Sequence, residues 1–385
     1  MSILESILFL LFCIPVSYLA FFALAAMFSR KEPEPTLKNA RKMVILLPAY
    51  REDGVIEESV HACFAQQYPR ELFEVVVISD KMKDATNERL SKMAIRLVKV
   101  VFEKSTKAKS LNFALKQIEG FDIAIVLDAD NVIEPLFLQK INAAFESGSR
   151  IVQAHRMAKN LNTNFAILDA ISEEVNNSIF RKGHANVGLS SALIGSGMAF
   201  EFEHFKFLID NIQSIGGEDK ELEHVVLFDG IKIDYLHHAE VLDEKIQRAS
   251  DFSNQRKRWL SAQFETLQSF LPQLGAAIRA GNIHFCDKVY QMAFPPRILL
   301  VGVLFLATAF FTVLDPPNSL KWWVLFGILF TTIMISIPRR LYTFQLLKAF
   351  LSIPYVFVLM FANLFKLKGA GKHFIHTSHG INDGK

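Results

Sequence analysis

Cysteine is scarce in this 385-residue chain: Cys13, Cys63 and Cys286 stand far apart with no C-x-x-C spacing. Neither a disulfide framework nor a zinc site is indicated, and a reducing compartment suits such a chain. Charge of one sign is also lacking, since 42 Lys and Arg against 39 Asp and Glu leave +3. The basic residues are not laid along one face with interleaved aromatics, so nucleic acid is not an expected partner. No P-loop run occurs, and Gly195-Ser196-Gly197 lacks the third glycine of a dinucleotide fingerprint because Phe200 stands there. These gaps argue against a Rossmann oxidoreductase. No internal repeat or low-complexity segment is present.

Apolar residues are abundant, at 51% of the chain, and the excess sits at the two ends. Ile3 to Phe28 carries only Glu5 as a charge, and about 20 such residues cross a bilayer as a helix. A cleaved signal peptide is the rival reading, but Met1 to Ser6 lacks the basic n-region that such peptides carry. Arg30 and Lys31 follow at once, and cytoplasmic flanks hold the excess of Lys and Arg. This orientation predicts an integral cell (inner) membrane protein with an outward N-terminus and a cytoplasmic body.

Further on, Ala293 to Leu314 and Trp322 to Ile337 are long enough to span, joined by the turn Asp315-Pro316-Pro317-Asn318. Phe264 to Ile278 reads as an amphipathic helix at the bilayer surface. A further crossing by Leu341 to Leu367 would put Lys366, Lys368 and Lys372 outside, so an interfacial or re-entrant helix kinked at Pro354 is expected. The expected organisation is an anchor over 1–30, a linker over 31–42 and a soluble domain over 43–260. Interface helices over 261–290, membrane and interfacial helices over 291–367 and a basic tail over 368–385 follow.

Within the soluble part, Met43 to Leu47, Val75 to Ile78 and Ile123 to Leu127 are short unbroken apolar runs, the pattern of strands buried on both faces of a parallel sheet. Val55 to Gln67, Asn87 to Met93 and Ser110 to Ile118 have helix-compatible spacing between them, which makes the fold α/β. Ligands of open α/β sheets sit beyond the carboxyl ends of the strands. Tyr50-Arg51-Glu52, Asp80 and Asp128-Ala129-Asp130 all fall there.

Asp128 and Asp130 would place two hard oxygen donors at that rim, where Mg²⁺ or Mn²⁺ could be held against phosphates. A strand-end turn with solvated acids would read the same way. Gly217-Glu218-Asp219 offers a general base, or merely acids that favour a helix N-terminus. Gln255, Arg258 and Trp259 share one side of a helix, where a guanidinium can fork onto phosphate oxygens; a basic helix at the headgroups is the competing reading. Gly195 to Gly197 permits close backbone approach to a ligand. His237-His238 and His373, His376 and His379 lack acidic or cysteine companions at ligand spacing and are left out of the metal site.

Taken in order, Leu47 to Glu52, Val77 to Asp80 with Asp84 and Thr86, Lys107 to Asn112, D-A-D, Gly195 to Gly197, Glu218-Asp219 and Gln255 to Trp259 resemble the family 2 inverting glycosyltransferases. These are the membrane-embedded relatives of cellulose, chitin and hyaluronan synthases. The resemblance covers about residues 43 to 260. It implies a GT-A fold, a Rossmann-like mixed sheet that binds a nucleotide-sugar, inserted between an N-terminal transmembrane helix and C-terminal transmembrane and interfacial helices.

By that resemblance Glu52 and Asp80 read the uridine, Lys107 and Asp128 hold the nucleotide, and Asp130 binds the metal. Asp219 is the base; Gln255, Arg258 and Trp259 line the diphosphate and acceptor; Gly195, Ser196, Gly197 and Glu218 lie against the sugar. Arg51 stands where the family usually has Asn, Lys81-Met82-Lys83 replaces a smaller polar turn, and Ser261-Ala262 replaces a frequent glycine-containing sequence. The expected reaction moves a sugar from a UDP-type donor to a lipid or lipid-linked saccharide. A processive synthase, or an inactive nucleotide-sugar-binding subunit, is the alternative.

Overall fold

The computed structural model describes residues 3–212 and 217–364. The tail expected over 368–385, with Lys368, Lys372 and the three tail histidines, lies outside the described residues, as does Lys366.

The α/β class read from the sequence is the class observed. Among the described residues eight strands form one mixed sheet: β1 (Met43–Tyr50), β2 (Phe73–Asp80), β3 (Arg96–Val100), β4 (Ile123–Val126), β5 (Val132–Ile133), β6 (Ile151–Ala158), β7 (Met198–Glu201) and β8 (Asp234–Asp243). Their order is β3-β2-β1-β4-β7-β6-β8-β5. β1 pairs in parallel with both β2 and β4, whereas β7 runs antiparallel to β4 and β6. The strand order therefore reverses between β1 and β4, which opens a crevice beyond their carboxyl ends.

The unbroken apolar runs divide residue by residue between two cores. Met43, Ile45, Leu47, Val75 and Val77 pack on one face, and Val44, Leu46, Val76 and Ile78 on the other. All nine are fully buried, which is why these strands show no alternation with polar residues. The intervening helices are Ile56–Phe64, Asp84–Ser91 and Lys107–Leu115, each within a few residues of its expected span.

Among the described residues, three helices are long and apolar enough to cross a membrane: Ile3–Met27, Arg297–Leu314 and Pro316–Ile335. Glu5, the lone charge of the first, accepts from Trp322 Nε1 at 3.0 Å and pairs with Lys321 at 2.6 Å. Phe344–Phe350 and Ile353–Leu364 are bent by 43° at a break. The break falls at Leu351 and Ser352, and Pro354 occupies the first turn of the second helix, where its missing N–H removes no helical bond. Phe264 to Ile278 is not one helix. The Ala249–Phe270 helix runs through its first half, and a 3-10 turn over Leu271–Gln273 leads into Leu274–Arg279. Phe270 and Ala277 pack on the sheet domain while Phe264, Leu271 and Ile278 stay exposed.

The first helix does not stand apart on its linker. Val16, Leu19 and Phe22 share a core with Ile167, Ile171 and Ile179 from the helix Asn164–Asn176 and the π-helical turn Asn177–Gly183, and with Leu300, Leu304 and Trp322. Tyr18 donates to Asp287 Oδ1 at 2.6 Å, and Phe22 stacks on His184 at 3.6 Å. Gly183 is needed at this crossing, because a Cβ there would sit 2.3 Å from the Phe22 carbonyl oxygen. Gly183→Ala must push two backbones apart, and such overpacking costs about 1–3 kcal/mol. We expect a lowered Tm for the detergent-solubilised variant in a thermal scan, and an unchanged Tm would show that the crossing yields freely.

Candidate active site

A cavity of about 700 Å³ opens at the crevice and is walled by the carboxyl ends of β1 and β2, the segment after β4, the Glu218–Phe228 helix and the Ala249–Phe270 helix. Glu52, Asp80, Lys107, Asp128, Asp130, Gly195, Glu218, Asp219, Gln255, Arg258 and Trp259 all line it. Ser196 and Gly197, expected against the sugar, lie behind its wall: the Ser196 hydroxyl accepts from the Asp128 amide at 3.0 Å, and the Gly197 carbonyl accepts from the Ala154 amide at 2.8 Å. They shape the loop that carries Asp128.

Asp80 ends β2 and is 2% exposed, with Oδ1 buried and without a hydrogen-bond partner. Burial raises its carboxyl above the usual carboxylate range. On either side the backbone turns left-handed, with φ of 58° at Arg51 and 55° at Lys81. Asn tolerates that conformation better than Arg, which makes the departure at Arg51 a strained one. Arg51 is tied down by its amide, which donates to the Asp80 carbonyl at 3.1 Å, and both cations lie over the Tyr50 ring at 5.3 and 5.4 Å.

Beyond β4 the chain presents Asp128 and Asp130, and β8 brings Asp243 beside them, with one oxygen of each within 4.8 Å of the others. Such hard oxygen donors suit Mg²⁺ or Mn²⁺. Asn131 steadies the group, donating at 3.2 Å to Asp130 and at 3.2 Å to Asp243. Cations surround it: Lys107 Nζ is 2.5 Å from Asp128, Arg156 reaches Asp128 at 3.9 Å and Asp243 at 3.8 Å, and Lys245 is 2.6 Å from Asp243. Behind them Glu173 bonds Arg156 at 2.7 Å and also pairs with Lys245. Against the burial that would raise it, Arg156 and Lys245 hold Glu173 below its ordinary value.

Opposite stands the Glu218–Phe228 helix, entered through Gly217 at φ 93°. Burial lifts the Glu218 carboxyl above its ordinary range even though Lys107 lies 3.8 Å away. Asp219 Oδ2 lies 3.4 Å from Lys220. Gly195 brings its backbone against this pair: with φ at 82°, a Cβ there would be 3.9 Å from the Asp219 Cβ. Lys107 also donates to the Gly195 carbonyl at 2.7 Å, tying the two walls together. Burial depresses Arg258, and Glu218, Asp128 and Asp219 partly restore it, so this guanidinium is within electrostatic reach of all three acids. Trp259 is half exposed and carries Arg256 over its ring at 4.6 Å.

Asp243, Arg156, Glu173 and Lys245 escaped the sequence reading. Asp243 alone left a signal, an acid closing the apolar pair Val241-Leu242 as Asp128 closes β4. The other three carry no local motif, and their meeting depends on the β6–β8 pairing and on the Asn164–Asn176 helix. His237 stacks on His155 at 4.7 Å, outside the residues lining the cavity, and burial pushes it down to about 3.

A probable glycosyltransferase, YdaM of Bacillus subtilis, is 26% identical over 159 residues, 37% of this chain and 38% of that protein. The poly(ribitol-phosphate) beta-N-acetylglucosaminyltransferase TarS of Staphylococcus aureus is 31% identical over 96 residues, 24% of this chain and 17% of that one. The chain thus spans well under half the length of the curated relatives it matches. In fold it is similar to the mannosyltransferase PcManGT from Pyrobaculum calidifontis, solved in complex with GDP-Man and Mn²⁺, with a TM-score of 0.55 and 16% identity over 87% of this chain and 99% of that one. The model of the family described as "Glycosyltransferase like family 2" matches residues 40–262, more than half of the chain and all of the sheet, so the chain belongs to glycosyltransferase family 2.

Proposed function

We propose that this enzyme transfers a sugar, with inversion, from a nucleoside diphosphate sugar to a hydroxyl of a lipid or lipid-linked saccharide at the cytoplasmic face of the cell membrane. The observation that carries the reading is the make-up of the cavity. Its sheet end has Asp80, Lys107 and the three aspartates, while Leu19, Phe180, Ile298, Leu300, Val356 and Met360 line it from the helices. A water-soluble donor and a membrane-dissolved acceptor have one continuous space in which to meet.

In this reading the unpartnered Asp80 Oδ1 accepts an N–H of the base, with Glu52 beside it. Uracil and guanine both offer such a donor, and the GDP-Man held by PcManGT supports the guanosine option alongside UDP. Asp128, Asp130 and Asp243 would hold Mg²⁺ or Mn²⁺, which supplies charge neutralisation to the diphosphate when bound. Lys107 and Arg258 face the departing phosphates, and Gln255 and Trp259 border the acceptor. Asp219 removes the proton of the acceptor hydroxyl, whose oxygen bonds to the anomeric carbon. The bond from that carbon to the diphosphate oxygen breaks, and the electron pair leaves with the nucleoside diphosphate. Attack opposite the leaving group inverts the configuration.

The test is incubation of the detergent-purified protein with labelled UDP- and GDP-sugars and a membrane lipid extract, followed by solvent extraction. Label is expected in the organic phase. Label confined to a high-molecular-weight water-soluble polymer would replace this reading by a synthase.

A further inference from the structure

Where the cavity meets the membrane helices it holds a cationic group that the proposed transfer does not use. Arg297 is the first residue of the Arg297–Leu314 helix. Its Nη2 donates to the Ser172 carbonyl at 3.0 Å, while Nη1 is buried with no hydrogen-bond partner. Among the described residues it forms no ion pair. Arg256 reaches the same serine from another direction, donating Nη1 to its hydroxyl at 3.3 Å. Its Nη2 takes Asp169 at 2.5 Å, and its Nε is again buried without a partner. Arg181 joins them, 4% exposed and bonded only to neutral oxygens, Asn177 Oδ1 at 2.7 Å and the Ala192 carbonyl at 3.3 Å.

Of these three guanidiniums only Arg256 has an ion pair among the described residues, with Asp169, and the acids acting on Arg181 are Glu173 and Glu223. A buried cation without a counter-charge and a buried N–H without an acceptor both disfavour the empty site. An anion with several oxygens relieves both at once, and a phosphate matches the guanidinium fork. The surroundings are apolar: Arg297 lies 5.7 Å from the Phe180 ring centroid, and Leu300 and Met360 line the cavity too. The donor diphosphate is served elsewhere, since Lys107, Arg156 and Lys245 gather on the aspartates and none of them bonds Ser172.

We propose that Arg297 and Arg256, converging on Ser172, bind a phosphate group carried on an apolar chain, so that the acceptor is a phosphate-bearing lipid. This rests on the lipid-acceptor reading above and narrows it.

The experiment measures binding, without donor, of farnesyl phosphate, farnesol and inorganic phosphate to the full chain in phosphatidylcholine nanodiscs, and separately of UDP and GDP. Farnesyl phosphate should bind at least about tenfold more tightly than farnesol or inorganic phosphate. Arg297→Gln should weaken it by about tenfold or more, as two charge-assisted bonds are lost, and Arg297→Lys should restore part of it. Unchanged nucleotide affinity in Arg297→Gln would show the fold intact; Arg256→Gln, read in the same way, serves if that variant does not fold. Equal binding of farnesol and farnesyl phosphate, or farnesyl phosphate binding unaltered in both Gln variants, overturns the proposal. So does inorganic phosphate binding as tightly as the lipid. Displacement of farnesyl phosphate by phosphatidylglycerol nanodiscs would assign the site to a bulk headgroup and overturn the acceptor assignment. Label found only in a water-soluble polymer sinks the lipid-acceptor reading, whereas Arg297-dependent farnesyl phosphate binding is read without donor and supports the phosphate site by itself.

Discussion

Asp219→Asn is expected to slow sugar transfer by about 10²- to 10⁴-fold, the usual contribution of a general base, while nucleotide affinity stays near that of the unaltered enzyme. The amide keeps the shape of the side chain but cannot accept the hydroxyl proton. Its neighbour Glu218 lies 3.8 Å from Lys107, toward the nucleotide end of the cavity. Glu218→Gln should instead disturb the nucleotide end of the cavity through Lys107, which also holds Asp128. Single-turnover rates together with nucleotide titration separate the two effects. Residual activity above about a tenth in Asp219→Asn would move the base to Glu218.

Removing divalent cations with excess chelator should stop transfer, and Mn²⁺ or Mg²⁺ should restore it. Asp128, Asp130 and Asp243 bring three oxygens within 4.8 Å of one another, and a diphosphate adds further negative charge to that spot. Asp243→Asn should raise the cation concentration needed for half-maximal rate by at least about tenfold, the scale on which metal sites lose affinity when even their supporting groups are altered. A metal titration of activity reads this directly. Full activity in chelator would leave Asp130 without a metal role, and an unshifted requirement in Asp243→Asn would remove that residue from the ligand set.

The sheet was legible where burial on both faces wrote it into composition. Val75 to Ile78 could hardly be anything but an inner strand. β7 was not, because Met198 to Glu201 is four residues long and follows a loop whose glycines dominate its pattern. The site was legible wherever chemistry is local in sequence, as at Asp128-Ala129-Asp130 and Glu218-Asp219. Arg156 and Glu173 were invisible for the opposite reason: no local motif marks either, and only the parallel pairing of β6 with β8 sets Arg156 across from Val241, two residues before Asp243. The long apolar helices were foreseen from length and polarity, but their part in walling the cavity was not, since hydropathy records how apolar a segment is and not what it packs against.

The tie between Glu5 and the Lys321–Trp322 pair sets an order on biosynthesis. Glu5 and Trp322 are separated by 317 positions in the chain, so nearly the whole protein must leave the ribosome before the acid of the first span meets its cation. Until then the acid at the start of that helix lacks these two partners. The start of the first helix is therefore tied last, after Tyr18 and Phe22 farther along it have met Asp287 and His184. Closure of the apolar helices thus joins the start of the chain to a residue near its other end.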